Sequence, residues 1–237
     1  MRGHIFDGSL LKHVGFSASK LGLISNWRLD EVSGSALDSF GANTLTDNNT
    51  VTSATGNVFP LARQFTAANS EYLSIADNTS VSIGDIDASF EIWFFADSVG
   101  VTRRLIGKWD NAVEQEYTIG INFTAGDNFP QFLVSSTGLD STSLVSATPI
   151  VVSTWNQLIL RHDSIADTIS LQFNNGAIES TAHSGGLFDG AQPFRIGSLG
   201  TPGQYWDGRI GPIRMAKRVW TTGEGDWLYN GGAGRAF

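Results

Sequence analysis

Tyr205-Trp206-Asp207-Gly208-Arg209-Ile210-Gly211-Pro212-Ile213-Arg214, running on to Val219-Trp220 and closing in Trp227-Leu228-Tyr229-Asn230-Gly231-Gly232, decides how this chain reads. It predicts the last long strand of a β-sandwich, a reversal, a turn or two of helix over 222–230, and an exit capped by the paired glycines. Upstream, the pattern is strand and turn. Ile169, Leu171 and Phe173 alternate with Ser170 and Gln172, the period-two signature of a half-buried strand. Asn174-Asn175-Gly176 follows, and Asn-Gly favours a type I′ hairpin because both central residues need positive φ. Residues 163–167 close the preceding hairpin, so 155–180 predict a three-stranded meander. Phe90-Glu91-Ile92-Trp93-Phe94-Phe95 is apolar on both sides, as in an inner strand covered on two faces. Strands over 88–96 and 103–109 are expected to form a second hairpin through Ser98-Val99-Gly100. No long amphipathic helix is present. The fold class that follows is all-β, a two-sheet antiparallel sandwich or jelly roll, with Trp27, Phe65, Phe90, Ile92, Trp155, Leu158, Leu160, Leu171 and Phe173 in its core.

The bulk composition narrows the function. A chain of 237 residues fits one large β-sandwich domain and buries a core without covalent staples. It has no cysteine, which excludes disulfides, thiolate metal sites and a Cys nucleophile. The net charge of −8 repels phosphate backbones, so nucleic acid is not an expected partner. Apolar runs are too short to span a bilayer.

Residues 1–22 read as an N-terminal arm, and 23–237 as the sandwich domain. Ile5, Phe6, Leu10, Leu11, Val14 and Phe16 follow no sustained period. The arm either packs along its own domain or reaches a neighbouring subunit. No apolar export segment follows Arg2, so a conventional secretory signal is not expected.

Four further segments stand in matching order ahead of the opening stretch. They are Asn26-Trp27-Arg28-Leu29-Asp30 with Ala36-Leu37-Asp38-Ser39-Phe40-Gly41; Ala62-Arg63-Gln64-Phe65 with Tyr72-Leu73-Ser74-Ile75; 88–94; and 154–163. Together they resemble the laminin-G-like branch of the concanavalin A-like lectin/glucanase superfamily over about residues 23–230. The resemblance implies a jelly roll that hosts lectins, adhesins, glycosidases and structural domains, so it leaves function open.

Glycosidase relatives carry Glu-x-Asp-x-x-Glu on one strand, and that string is missing. The nearest approach is Glu114-Gln115-Glu116, which lacks a third acid and sits at a loop edge. No catalytic residues are expected. His4, His13, His162 and His183 form no metal or triad motif and read as surface or turn residues. The resemblance also implies calcium, with a carboxylate from Asp38 and a carbonyl near Asn43. The acid expected in the last long strand is replaced by Gly211, followed by Pro212. Calcium takes six to eight oxygens, so Asp38 either ligates it or caps an Asx-type turn over 39–41.

Trp27, Trp93 and Trp155 fall at core positions of the family. Trp109, Asp110, Tyr205 and Trp206 differ, because each ring lies beside a polar loop or turn. They either form a sugar-binding rim or fill the sandwich ends and a subunit contact. Two functions compete. One is a virion-surface decoration or tail-associated protein of a bacteriophage, binding glycans weakly and joining other virion or self subunits through the arm as a homo-oligomer. The other is an extracellular or cell-surface carbohydrate-binding module that engages cell-surface glycans.

Overall fold

The computed structural model describes residues 20–110, 112–123, 128–200 and 203–237. The N-terminal arm, apart from its last residues, lies outside this range. The sandwich has two antiparallel sheets. In the first, β13 (Ile178–Ala182), β12 (Thr168–Phe173), β11 (Trp155–Asp163), β6 (Ala88–Ala96), β15 (Gly208–Ala216), β4 (Leu61–Phe65) and β3 (Thr52–Thr55) lie side by side, and β1 (Leu23–Trp27) also pairs with β15. The second sheet runs β10 (Thr142–Val145), β9 (Pro130–Val134), β8 (Tyr117–Ile121), β7 (Arg103–Lys108), β14 (Phe194–Ile196), β5 (Tyr72–Ile75) and β2 (Thr46–Asn48).

The core is what the alternation predicts. Trp27, Phe65, Phe90, Ile92, Leu158, Leu160, Leu171 and Phe173 are all buried between the sheets. Trp155 is the exception. It lies on the outer face of the eight-stranded sheet, half-buried, edge-on to Phe95 at 5.8 Å. The meander over 155–182 forms as expected. Its tight turn is centred one residue early. Asn174 and Asn175 take the positive φ values (47° and 58°), and the Gly176 amide donates to the Phe173 carbonyl.

The expected hairpin of 88–96 with 103–109 does not form. β6 pairs with β11 and β15 in one sheet, while β7 pairs with β8 and β14 in the other. The link through Ser98-Val99-Gly100 therefore crosses between sheets. Two apolar strands joined by a short polar loop read alike in both cases.

Pro212 shapes β15. A proline has no N–H to give a ladder, and the pairing with β6 shifts register between Ile210 and Ile213. On the opposite side the partner changes at the same place, from β4 at 208–210 to β1 at 213–216.

The outer face of the eight-stranded sheet is covered in cis. Helix α1 (Thr222–Tyr229) starts on a capping box, in which the Thr221 hydroxyl and the Glu224 carboxylate each accept the other's backbone N–H, and it ends at Asn230 with φ 51°. Its last residue, Tyr229, stacks on Trp93 with centroids 6.1 Å apart. Asn26 Nδ2 donates to the Phe237 carbonyl at 3.0 Å. The other broad face, on the seven-stranded sheet, carries the cations and rings described next.

Candidate functional site

Register assigns the faces of the seven-stranded sheet. Leu73, Ile196, Ile106, Ile119, Phe132 and Leu144 stand opposite one another across six strands and point into the core. Side chains alternate along a strand. The neighbouring row, Ser74-Arg195-Gly107-Thr118-Leu133-Ser143, therefore faces outward. Tyr72 and Gly120 lie on this outer side too.

Gly107 and Gly120 leave room in the middle of this face. A Cβ on Gly120 would come within 2.7 Å of the Phe123 ring, and one on Gly107 within 2.9 Å of Thr118 Oγ1. Phe123 thus lies down over the sheet, anchored by its amide donating to Gln131 Oε1 at 2.9 Å. The Arg104 guanidinium stacks on that ring at 3.8 Å. Its Nε donates to Gln204 Oε1 at 2.6 Å and its Nη1 to Thr118 Oγ1 at 3.4 Å. Arg104 is only 5% exposed. One strand over, the Arg195 guanidinium sits 4.8 Å from the centre of the Tyr72 ring and donates to the Leu199 carbonyl at 3.2 Å. Burial lowers the pKa of Arg195. Tyr205 stands 6.4 Å from Tyr72, its carbonyl accepting from Arg103 Nη1 at 2.8 Å. Tyr72, Arg195, Gln204 and Tyr205 are all part-exposed. Rings, guanidiniums and an amide on one face are chemically matched to a sugar, whose C–H face stacks while its hydroxyls find donors and acceptors.

Of the four residues expected at a sugar rim, only Tyr205 joins this face with its side chain open. Trp206 is fully buried, edge-on to Phe94 at 5.6 Å. Its neighbour Tyr205 instead stands part-exposed beside Tyr72. Trp109 is 4% exposed and its carbonyl accepts the Gly200 amide at 2.6 Å. Asp110 is spent on its own loop, its Oδ1 accepting the amides of Ala112, Val113 and Glu114. Polar flanking residues suggested exposure for both tryptophans, but those residues hold loops closed over the rings. Gly120 inside a strand marks the close approach of another group, here the Phe123 ring on which Arg104 stacks; Arg104 itself carries no such signal.

The calcium donors are likewise committed. Asp38 Oδ1 accepts the amides of Asn26, Phe40 and Gly41 at 2.9–3.0 Å, and Oδ2 accepts that of Asn43 at 3.2 Å. Burial pushes the carboxyl up, but these N–H donors outweigh it and hold it below the usual carboxylate range. The Asn43 carbonyl accepts Trp27 Nε1 at 2.6 Å, and its side-chain oxygen accepts the Ser80 hydroxyl at 2.8 Å. Among the described residues no three His, Cys, Asp or Glu side chains gather into a metal cluster. This donor set does not fit a resident calcium ion; it fits the turn-capping role. Asp38→Ala is expected to cost about 1–3 kcal/mol of stability, measured by urea unfolding. Added calcium is expected to leave the wild-type melting temperature unchanged. A calcium-dependent rise lost in Asp38→Ala would reverse this.

The Glu114-Gln115-Glu116 segment lies before β8, not within it. Glu114 Oε2 accepts the Ala191 amide at 2.8 Å, and the buried Glu116 pairs with Lys108 at 2.6 Å. The pair is not aimed into a common cleft. His162 and His183, expected as surface or turn residues, are buried with ring centroids 6.0 Å apart. His162 Nδ1 meets the Ile86 carbonyl, and His183 meets Thr142 Oγ1 and the Gly186 carbonyl.

Fold and site define a lectin-like β-sandwich with a polar-aromatic sheet face. Residues 67–224 match the family described as the concanavalin A-like lectin/glucanases superfamily, laminin-G-like branch, and the chain belongs to it. No curated protein matches it in sequence. Among solved structures it is similar to the binding domain of Paraclostridial Mosquitocidal Protein 1, at 14% identity and TM-score 0.72, over 90% of this chain and 52% of that one. It is similar to a structure of botulinum neurotoxin type C, a toxin whose cell entry is described as dependent upon interaction with two ganglioside molecules, at 10% identity and TM-score 0.67, over 91% and 53%. A third is domain 4 of AbnA, a GH43 extracellular arabinanase from Geobacillus stearothermophilus, in complex with arabinotriose, at 17% identity and TM-score 0.64, over 85% and 95%. The chain spans about half the length of the toxin binding domains. At these identities the likeness is one of fold.

Proposed function

We propose that this chain is a non-enzymatic saccharide-binding module that holds its ligand on the outer face of the seven-stranded sheet. The observation that carries the reading is the grouping of Tyr72, Tyr205, Arg195, Gln204 and Arg104 on that face. Membership of a lectin/glucanase superfamily, a fold neighbour that is a binding domain and another solved in complex with arabinotriose support it. The absence of a glycosidase acid string, with Glu114 and Glu116 each held by a structural partner, supports the non-enzymatic part.

A glycan array probed with the purified chain tests this. Binding is expected for at least one saccharide class. Tyr72→Ala with Tyr205→Ala is expected to weaken it about tenfold or more, since each aromatic contact contributes on the order of 1 kcal/mol, with the melting temperature little changed. Binding that survives the double variant would move the site elsewhere. No binding at millimolar saccharide would end the reading.

The second reading places the module on a virion surface, joined to other subunits through residues 1–22. It rests on the apolar residues of that arm, which follow no sustained strand or helix period in the sequence and which soluble proteins avoid exposing as a patch. Many copies on one particle would make weak single sites effective by avidity. Deleting residues 1–20 is expected to leave a cooperative β domain that no longer assembles; normal assembly would overturn the reading.

A further inference from the structure

We infer that the saccharide this face takes is anionic, and that Arg104 binds its carboxylate or sulfate. The inference rests on the saccharide-binding reading and names its ligand class. Five Lys or Arg side chains are buried among the described residues: Arg63, Arg104, Lys108, Arg161 and Arg214. Arg63 pairs with Asp47, Lys108 with Asp77 and Glu116, and Arg214 with Glu91. Arg161 makes no direct ion pair, but Glu224 and Asp226 are close enough to favour its charge. Among the described residues no acid pairs with Arg104 or acts on it.

A buried cation without a counterion is costly, and folds ordinarily pair or neutralise it. Burial alone pulls the Arg104 pKa down to about 9, so it remains a cation at neutral pH. What compensates it in the free protein is neutral: the Phe123 ring, the Gln204 amide oxygen and a long contact to Thr118. Nη2 takes no acceptor among the described residues, and it is not among the buried polar atoms shut away without a partner. The Nη1–Nη2 edge, with only the 3.4 Å Thr118 contact on it, matches the fork that an oxyanion accepts bidentately. The stack on Phe123 and the Nε bond to Gln204 fix the guanidinium plane, so little rotamer freedom is lost on binding. Arg195 on the adjacent strand adds a second positive charge without an ion pair.

The test titrates the purified chain by calorimetry with a glucuronate-containing oligosaccharide and with its methyl ester, and with a sulfated oligosaccharide and its desulfated form. One acid is expected to bind about tenfold or more tightly than its neutral counterpart, and the two arms tell carboxylate from sulfate. In Arg104→Gln that preference is expected to vanish, the acid binding no more tightly than its neutral counterpart. Because it strands no carboxylate among the described residues, Arg104→Gln is also expected to melt close to wild type. Equal affinity for charged and neutral forms in the wild type would overturn the inference and leave saccharide binding standing. A charge preference that persists in Arg104→Gln would also overturn it. No binding of any of the four would sink the saccharide reading itself.

Discussion

Arg214→Met is expected to lose about 3–5 kcal/mol of stability, because it strands a buried carboxylate. For a chain of this length that lowers the melting temperature by roughly 10 °C. Glu91 and Arg214 are both fully buried on the outer face of the eight-stranded sheet and form an ion pair there. Glu91 Oε1 accepts Gln157 Nε2 at 2.7 Å and Trp93 Nε1 at 3.0 Å, so the carboxylate is satisfied only while its sheet neighbours and Arg214 are all present. Arg214 in turn donates to the Arg235 carbonyl and lies 4.0 Å over the Phe237 ring. It therefore fastens the C-terminal segment to the sheet. Hydrogen exchange over 230–237 is expected to accelerate more than over β11 or β12. The double variant Glu91→Gln with Arg214→Met is expected to recover part of the loss, since it removes the stranded charge. A single variant that melts with the wild type would show that the pair is not what holds this cover down.

The individual strands follow from residues that the sequence makes legible. Alternation in β12, the two-sided apolar run of β6 and the helical turns over 222–230 all carry local signals, and each element forms where those signals stand. Which sheet a strand joins is not local. β6 and β7 look like a hairpin because chain connectivity and a polar loop are all that a sequence offers, and the choice is made by β11 and β15 closing around β6. The same limit governs the site. Tyr205 and Trp206 are adjacent and equally aromatic, and only the register of the segment puts one outside and the other against Phe94. Asp38 reads equally as a metal ligand or a turn cap until its four N–H donors are in place. Arg104 stayed hidden because its chemistry depends on what it lacks, a carboxylate neighbour, and that is a property of the assembled sheet.

Lys108→Met is expected to cost a comparable amount, about 3–5 kcal/mol, through a different part of the molecule. Lys108 is fully buried at the end of β7. Its Nζ meets Asp77 Oδ1 and Glu116 Oε2 at 2.6 Å each, Ser82 Oγ at 2.5 Å and the Gly190 carbonyl at 2.9 Å. One ammonium thus ties the segment around 77–83, the lead into β8 and the loop at 190 to one point. Glu116 Oε1 also accepts the Ile83 amide at 2.8 Å. Burial pushes the Glu116 carboxyl up to about 7, with Lys108 and the Ile83 amide opposing. A raised folded pKa means that the folded state holds a proton the unfolded chain releases, so this contribution is complete below about 4.5 and is lost as pH rises to about 7. Removing Lys108 takes away the group that opposes the rise, so Lys108→Met is expected to steepen the fall in stability between pH 5 and 7. Glu116→Gln is expected to flatten it. Urea unfolding of the three proteins at pH 5, 6, 7 and 8 separates these slopes. If Lys108→Met and wild type show parallel pH curves, Glu116 does not titrate in that window, and the variant's loss reflects the severed contacts alone.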